Sequence, residues 1–283
     1  ANILFPGKAC KSLVKEAQYA YYITHYQHVK NYLNYVGNVV VTDYDTTMVD
    51  PYNNNNFIVD INGKQIVFDY SDHSNTINLD NLSIDIPYFK IHTSKSSHQR
   101  CIPFPPMSFM DWEEYDNLKD IITYNPNGDI FYKCKAYGGA LERRNMVFDK
   151  LNQYKTIPVD FSVVEQHEYF RSFSNCRINV IVPGARLDIL DRTHMQSFAL
   201  GIPVITPTLS TILPFGEIFE PNVDYIECLP DFSNVIELIE KYKDDKDHLD
   251  FISKNCKNKF EKSCSPKSVA SWILERYSDY INI

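Results

Sequence analysis

The amino-acid sequence predicts an α/β protein, because segments typical of buried strands alternate with segments typical of helices along most of the chain. The clearest example lies between Cys176 and Phe215. An apolar run at 178–182 is followed by Pro183-Gly184, a pattern typical of a strand buried on both faces of a parallel sheet. A helix that ends near Leu200-Gly201 and a strand at 203–206 complete the unit. The 283 residues are enough for two domains.

The first part of the chain contains further strands that end in polar residues. Prolines and acidic residues at 100–127 indicate a segment that crosses between two domains. We therefore divide the chain into residues 1–115 and residues 116–283. The predicted elements of the first part are strands at 2–5, 39–42, 65–68 and 84–91, tyrosine-rich helices within 12–35, and an asparagine-rich loop at 53–56.

The second part shows the same alternation and ends in helices. Ser265-Pro266 is a typical N-cap and first position of the last helix. Asp231 is predicted to cap a helix with an apolar stripe. The remaining predicted elements are strands at 129–134, 156–161 and 224–228, and helices that begin near Glu142, at 164 and at 246.

Composition narrows the classes of partner and compartment. A net charge of −8 without a basic stripe argues against a nucleic-acid partner. No window approaches 18 consecutive apolar residues, so the sequence predicts no membrane span. The seven cysteines are scattered and include no C-x-x-C pair, which indicates neither a disulfide framework nor a zinc site. A reducing compartment fits these cysteines best, and we expect a cytoplasmic protein.

The segment with the clearest functional signal is QSFALGIPVI at 196–205, which resembles the donor-site signature E-A-x-A-x-G-x-P-V-I of GT-B glycosyltransferases. Leu213-Pro214-Phe215 and Arg192 resemble the exostosin-like branch of that superfamily. Gln196 departs from the family pattern, which has Glu there. Asp188 lies eight residues earlier, where retaining relatives often carry another Glu. The retaining pattern is therefore not met.

The resemblance implies a fold and a reaction. The fold would be GT-B, with two Rossmann-like domains facing a cleft and a C-terminal helix that crosses back to the first domain. Residues 1–115 would bind the acceptor, and residues 116–283 the nucleotide-sugar donor. The reaction would be an inverting transfer of xylose, glucuronate, galactose or N-acetylglucosamine from a UDP-linked donor to a glycan hydroxyl. No metal or other cofactor is implied, and the partners would be the nucleotide sugar and an oligosaccharide acceptor.

Candidate donor-binding residues lie where predicted strands give way to helices, the usual ligand position in open α/β sheets. Arg143 and Arg144 near a helix start oppose the helix dipole, which is better explained if they face an anion such as a diphosphate. The other interpretation is one exposed arginine and one paired to Glu142 or Asp149. The start of the helix before Gly201 also offers N–H groups that suit a phosphate. The predicted donor-binding residues are Lys135, Gly138, Arg143, Arg144, Pro183, Gly184, Arg186, Asp188, Asp191, Arg192 and Gln196.

The candidate catalytic base follows the strand at 65–68. Asp69, Asp72 and His73 come at its carboxyl end, and an Asp or a His can take a proton near neutral pH when its surroundings shift its pKa. Asp72 is the first candidate, with His73 and Asp69 after it. The other interpretation is a solvated turn in which Asp69 caps a helix.

Three alternatives remain open at this point. Asp43 and Asp45 form a D-x-D triplet, which GT-A glycosyltransferases use after a strand to hold a metal ion and the donor diphosphate. The Gln196 departure favours a catalytically silent carbohydrate- or nucleotide-binding module. An epimerase of GT-B-like build would release UDP without forming a glycoside.

Overall fold

The computed structural model describes residues 2–6, 27–34, 40–44, 56–70, 86–106, 112–132, 138–152, 170, 173, 175–184 and 186–281. The chain folds into two compact units, and the α/β prediction is confirmed because each unit has its own sheet and helices. The first unit comprises Ala1–Trp112, Ile212–Glu217 and Ser263–Ile283, and the second comprises Glu113–Thr211 and Ile218–Lys262. No helix within the described ranges has the length and apolar character needed to cross a membrane.

The first unit contains a six-stranded mixed sheet in the order β2-β1-β3-β4-β5-β6. Strand β3 is antiparallel to both of its neighbours, and the other three pairs are parallel. The strands are β1 (Asn2–Pro6), β2 (Val40–Tyr44), β3 (Asn56–Ile61), β4 (Lys64–Asp69), β5 (Tyr88–Lys90) and β6 (Cys101–Pro103).

Strand β3 is absent from the sequence prediction, which has only the asparagine-rich loop near its start. It is joined to β4 by Asn62-Gly63, whose φ angles of 52° and 82° place both residues in the left-handed region. Such two-residue Asn-Gly turns match the twist of antiparallel strands, so Asn62-Gly63 was the local signal for this hairpin. The Asp60 carboxylate accepts a hydrogen bond from the Gly63 N–H and supports the turn.

Aromatic side chains and the last helix complete the core of the first unit. The rings of Phe68 and Phe89 stack at 5.1 Å, and Phe104 packs against both. Helix α1 at 27–34 contributes Tyr32 to the same cluster. Each of these side chains is fully buried, which contributes about 2–3 kcal/mol for a large apolar group.

The last helix begins as predicted, directly after Ser265. Ser265 Oγ accepts a hydrogen bond from the Ser268 N–H, as expected of an N-cap. Trp272 Nε1 donates to the carbonyl oxygen of Pro103 at 2.8 Å, and the Tyr277 hydroxyl donates to that of Ile61 at 2.6 Å. This C-terminal segment therefore belongs to the first unit although it follows the second in sequence.

The second unit contains a four-stranded sheet in which all strands are parallel, in the order β10-β9-β8-β7. Its strands are β7 (Asp129–Phe131), β8 (Cys176–Val180), β9 (Val204–Thr206) and β10 (Ile226–Glu227). The helices from the unit boundary to the C-terminus are α2 (Trp112–Leu118), α3 (Leu141–Asn152), α4 (Arg192–Ala199), α5 (Val235–Tyr242), α6 (Lys246–Ser263) and α7 (Pro266–Ile281).

The core of this unit lies between the sheet and helices α3, α5 and α6. It includes Ile178 of β8, Val147 of α3 and Val235 of α5, and all three side chains are fully buried. β8 is a central strand with parallel neighbours on both sides, as predicted from the 178–182 run. Only one of its faces is apolar, with Cys176, Ile178 and Val180, whereas Arg177 and Asn179 lie on the other.

One predicted cap is wrong. Helix α5 begins at Val235 with Asn234 at its N-cap position, and Asp231 lies in the preceding turn. The Asp231 carboxylate accepts the Ser233 N–H two residues on, a local turn in which Asp often takes part. This turn satisfies the Asp231 carboxylate before the helix starts.

Some predicted elements lie outside the described residues. These are most of the helical region at 12–35, the strand at 156–161 and most of the helix at 164–173. The division at 115/116 into an acceptor-binding and a donor-binding domain is a functional statement, and it stays a prediction.

Candidate functional site

The carboxyl end of β8 brings together four of the predicted donor-binding residues. The chain continues from β8 through Val182, Pro183 and Gly184, and the first turn of α3 lies beside it. Arg144 donates from Nε and Nη2 to the carbonyl oxygen of Val182, both at 3.2 Å. Arg143 donates from Nη2 to the carbonyl oxygens of Gly184, at 2.9 Å, and Pro183, at 3.4 Å. The two guanidinium groups are therefore fixed against one strand end.

The start of α3 is itself anchored to the sheet. The hydroxyl of Tyr132, directly after β7, donates to the carbonyl oxygen of Arg144 at 2.8 Å. The Arg144 side chain is buried, with 8% of the residue exposed. Arg143 is half-buried, and within the described part of the chain its Nε is buried without a hydrogen-bond acceptor. A buried cationic donor without an acceptor is unfavourable.

The amino terminus of α4 is capped by the protein itself. Asp191 is the N-cap, and its Oδ1 accepts hydrogen bonds from the N–H groups of Thr193 and His194 at 3.0 and 3.2 Å. The expectation that this helix start offers free N–H groups to a phosphate is therefore wrong for these two groups. A carboxylate already fills the position that a phosphate would take.

His194 is a site residue that the sequence prediction missed. Its Nδ1 lies 2.9 Å from Asp191 Oδ1, and its Nε2 lies 2.9 Å from Thr206 Oγ1 at the end of β9. The ring is fully buried, so it joins the start of α4 to the neighbouring strand. The available signal was Asp191-x-x-His194, a capping box in which His occupies the place usual for Glu.

The pKa of Asp191 is lowered from its ordinary value of 3.8, although two effects oppose each other. Burial by itself raises this pKa. The His194 ring, the hydrogen bonds from His194 and the charge of Arg144 lower the pKa by more than burial raises it. Asp191 is consequently ionised at neutral pH. Its negative charge partly offsets the positive charge of Arg144.

A second ion pair lies in the loop after Gly184. Arg186 contacts Asp188 in a bidentate arrangement, with Nε–Oδ1 and Nη2–Oδ2 distances of 3.0 and 2.8 Å. The Ser210 hydroxyl donates to Asp188 Oδ2 at 2.6 Å. Burial raises the pKa of Asp188, but the bonds from Ser210 and Arg186 outweigh it and the net pKa is lowered. The charge of Arg186 is thus already paired.

The other predicted donor-binding residues are not brought into one cluster by the described contacts. Arg192 is the half-buried first residue of α4, and Gln196 is 3% exposed in the same helix. Gly138 begins the 3₁₀ turn that precedes α3. Lys135 lies outside the described residues, and so do the candidate bases Asp72 and His73.

Asp69 is the one candidate base within the described residues, and it lies in a buried ion pair. Lys90 Nζ and the Tyr88 hydroxyl donate to its Oδ2 at 2.8 and 2.7 Å. Asp69 and Lys90 are 1% and 0% exposed and face each other in register at the ends of β4 and β5. The alternative interpretation of Asp69 as a solvated turn residue is therefore wrong, since the parallel partner strand covers it.

Cys101 lies in β6, which pairs with β5, the strand that contains Lys90. Burial raises the pKa of its thiol to about 11, and the neighbouring Lys90 only partly opposes that effect. The thiol is protonated at neutral pH and is not a ready nucleophile. The cysteines of the described segments (Cys101, Cys176, Cys228, Cys256 and Cys264) are all free.

The D-x-D triplet is only partly described. Asp43 lies inside β2, opposite Phe5 of β1, and Asp45 lies outside the described residues. Among the residues that the structure describes, no three His, Cys, Asp or Glu side chains come together as metal ligands.

Comparison with known proteins adds no relative: no protein-family model matches the chain, and no curated protein matches it. The resemblance to GT-B glycosyltransferases therefore depends on the sequence segment at 196–205 and on the residues around it.

Proposed function

We propose that the chain is an inverting GT-B glycosyltransferase that moves a sugar from a UDP-linked donor to a glycan hydroxyl. The observation that carries this proposal is the pair Arg143 and Arg144, fixed at the carboxyl end of β8 in an all-parallel sheet. Ligands of open α/β sheets bind at this edge, where the loops after the strands converge.

The arginine pair supports a reaction whose leaving group is a diphosphate. Negative charge grows on the diphosphate as the bond to the sugar breaks, and fixed donors aimed at that charge lower the barrier. Arg144 is held by Val182 and Arg143 by Gly184, so neither guanidinium needs to be ordered when the donor binds. A guanidinium has five N–H donors, and the two bonds from Arg143 to backbone carbonyls both come from Nη2.

The association of α7 with the first unit supports the GT-B form of the fold. The resemblance implies a C-terminal helix that returns to the first domain, and the Trp272 and Tyr277 hydrogen bonds tie α7 to Pro103 and Ile61. In this proposal the backbone around 181–184 contacts the uracil base. Gln196 contacts the ribose, after a side-chain movement because it is buried here.

The proton of the acceptor hydroxyl is proposed to go to Asp72. The acceptor oxygen attacks the anomeric carbon, its proton passes to the carboxylate, and the bond from that carbon to the diphosphate oxygen breaks. His73 is the next candidate. Asp69 follows, because its carboxylate is already held by Lys90 and Tyr88. In this scheme the Asp69–Lys90 pair anchors the strand end from which Asp72 and His73 follow.

The direct test of the proposed function is turnover of UDP-sugars in the presence of EDTA. We expect UDP release from at least one of UDP-xylose, UDP-glucuronate, UDP-galactose and UDP-N-acetylglucosamine, with no loss when the chelator is added. The arginine pair supplies the charge that a metal would otherwise supply. Strict metal dependence would instead favour the GT-A alternative with Asp43 and Asp45.

The products distinguish the remaining candidates. Mass spectrometry of the reaction with a glycan acceptor should show a product heavier by one sugar. UDP release without such a product, together with an altered free sugar, would indicate the epimerase. UDP binding without any release would indicate the silent binding module, which the buried Gln196 in place of Glu favours.

A further inference from the structure

The turn that contains Phe215 has a backbone conformation unusual for a bulky residue. Phe215 has φ 62° and ψ 16°, and Gly216 after it has φ 74°. A phenylalanine in the left-handed region is strained, and such strain is concentrated at functional sites. The residue is nevertheless 40% exposed, so its ring is not part of the buried core.

The turn is rigid on both sides of Phe215. The Gly216 N–H donates to the carbonyl oxygen of Leu213 at 3.1 Å, and the Leu213 N–H donates to that of Glu217 at 2.8 Å. Ile212, which precedes Leu213, makes two hydrogen bonds with Thr93. The Ile212 N–H donates to the Thr93 carbonyl oxygen at 2.7 Å, and the Thr93 hydroxyl donates to the Ile212 carbonyl oxygen at 3.0 Å. The exposed ring is thus presented by an ordered backbone and is organised before any ligand binds.

The phenyl ring of Phe215 packs against the indole of Trp272. The two ring centroids are 4.8 Å apart, and Trp272 is 7% exposed and held by its hydrogen bond to Pro103. The guanidinium of Arg276 lies 4.3 Å from the same indole and pairs with Glu275 and Asp279. The exposed ring of Phe215 therefore packs on the indole of Trp272, which also contacts the charged side chain of Arg276.

We propose that Phe215 is a stacking platform for a pyranose ring of an oligosaccharide. The apolar C–H face of a sugar ring packs on an aromatic face, and rigid aromatic side chains supply contact area at low entropic cost. Among the described residues of the first unit, Phe215 is the one exposed large apolar side chain. An exposed ring with charged neighbours suits a sugar, which needs one apolar face and several hydrogen-bonding groups. A protein docking surface needs a larger continuous apolar patch. The proposal rests on the proposed function, because the bound oligosaccharide is the acceptor.

The test uses Trp272 as an optical reporter. The chain has two tryptophans, and a Trp112→Phe variant leaves Trp272 as the single one. In this background we expect saturable changes in emission on titration with at least one of xylotetraose, cellotetraose and chitotetraose. Sorbitol, which has hydroxyl groups but no ring face, should cause no saturable change.

Two substitutions separate the ring from the backbone. Phe215→Asn removes the ring and keeps a residue that tolerates the left-handed region, and it should weaken oligosaccharide binding at least about fivefold. Phe215→Tyr keeps a ring and should retain affinity within about twofold. Circular dichroism checks that both variants are folded. If the Asn variant does not fold, the wild-type titrations and the Tyr variant still decide the matter.

Several results would overturn the platform. They are the absence of any response to the three oligosaccharides, equal affinities in the Asn variant and the wild type, or a loss of affinity in the Tyr variant as large as that in the Asn variant. Self-association that disappears in the Asn variant, while sugar affinity is unchanged, would assign the ring to a protein contact instead.

A UDP titration of the same proteins distinguishes failure of the platform from failure of the proposed function. Retained UDP binding with no role for Phe215 refutes the platform alone, and sugar binding through Phe215 without UDP binding refutes the proposed function alone.

Discussion

Replacing Lys90 by Met should destabilise the first unit by about 3–5 kcal/mol, the usual cost of leaving a buried charge without its partner. Lys90 and Asp69 are 0% and 1% exposed, and their charged atoms are 2.8 Å apart. Without the lysine, the Asp69 carboxylate loses a buried cationic partner and keeps the neutral hydroxyl of Tyr88. Urea unfolding followed by circular dichroism measures the change.

Two further variants control for other effects of this substitution. Lys64→Met removes an exposed lysine at the first position of the neighbouring strand β4, which also contains Asp69, and should change stability by no more than about 0.5 kcal/mol. In the double variant Lys90→Met with Asp69→Asn neither residue of the pair is charged, so this variant should recover a large part of the loss. A Lys90→Met protein that unfolds at the wild-type urea concentration would show that the pair does not form in solution.

Asp72→Asn should lower the rate of sugar transfer by about 10²–10⁴-fold, the typical contribution of a general base. The amide cannot accept the proton of the acceptor hydroxyl, whereas the arginine pair that binds the diphosphate is unchanged. Affinity for UDP should therefore remain within about twofold of the wild-type value. Initial rates with a saturating UDP-sugar and calorimetric titration with UDP measure the two quantities separately.

Comparison with His73→Gln distinguishes the two leading candidates for the base. If His73 takes the proton, its variant will lose the activity and Asp72→Asn will not. If both variants transfer sugar at the wild-type rate, the base lies elsewhere. Asp69→Asn is a poor test of catalysis because it breaks the ion pair with Lys90 and should lower stability.

The unit from β8 to β9 was predictable because its signals are local. The apolar run at 178–182, the turn residues Pro183-Gly184 and the glycine at 201 mark the boundaries of three elements within about thirty residues. The first turn of α3 was also found, together with both of its arginines. Local patterns of this kind do not depend on which strands become neighbours in the sheet.

The ion pair of the first unit could not be predicted in the same way. Asp69 and Lys90 are 21 positions apart, and they meet only because β4 and β5 pair in parallel with these residues in register. A lone Lys after Tyr88-Phe89 has no local pattern that identifies its partner. The contact from His194 to Thr206 is similar, since it depends on the packing of α4 beside the end of β9.

The Asp191 cap illustrates a different limit of sequence reasoning. A helix start at the end of a parallel strand is a typical phosphate site, and the sequence supports that interpretation. Asp191 precedes the helix, however, and its carboxylate occupies the N–H groups of Thr193 and His194. We therefore propose that the positive charge for a diphosphate comes from Arg143 and Arg144 rather than from the helix dipole.

Calorimetric titration with UDP and with uridine tests this central claim most directly. We predict that UDP binds the wild-type protein and that Arg143→Gln weakens UDP binding at least about tenfold, the effect of losing a charge-assisted contact to phosphate. Uridine, which has no phosphate, should bind both proteins equally. Arg177→Gln is the matched control. Arg177 lies near the amino end of β8, and its guanidinium donates to the backbone carbonyl oxygen of Lys243. Equal UDP affinities of wild type and Arg143→Gln, or no UDP binding to either, would contradict a diphosphate site at the arginine pair.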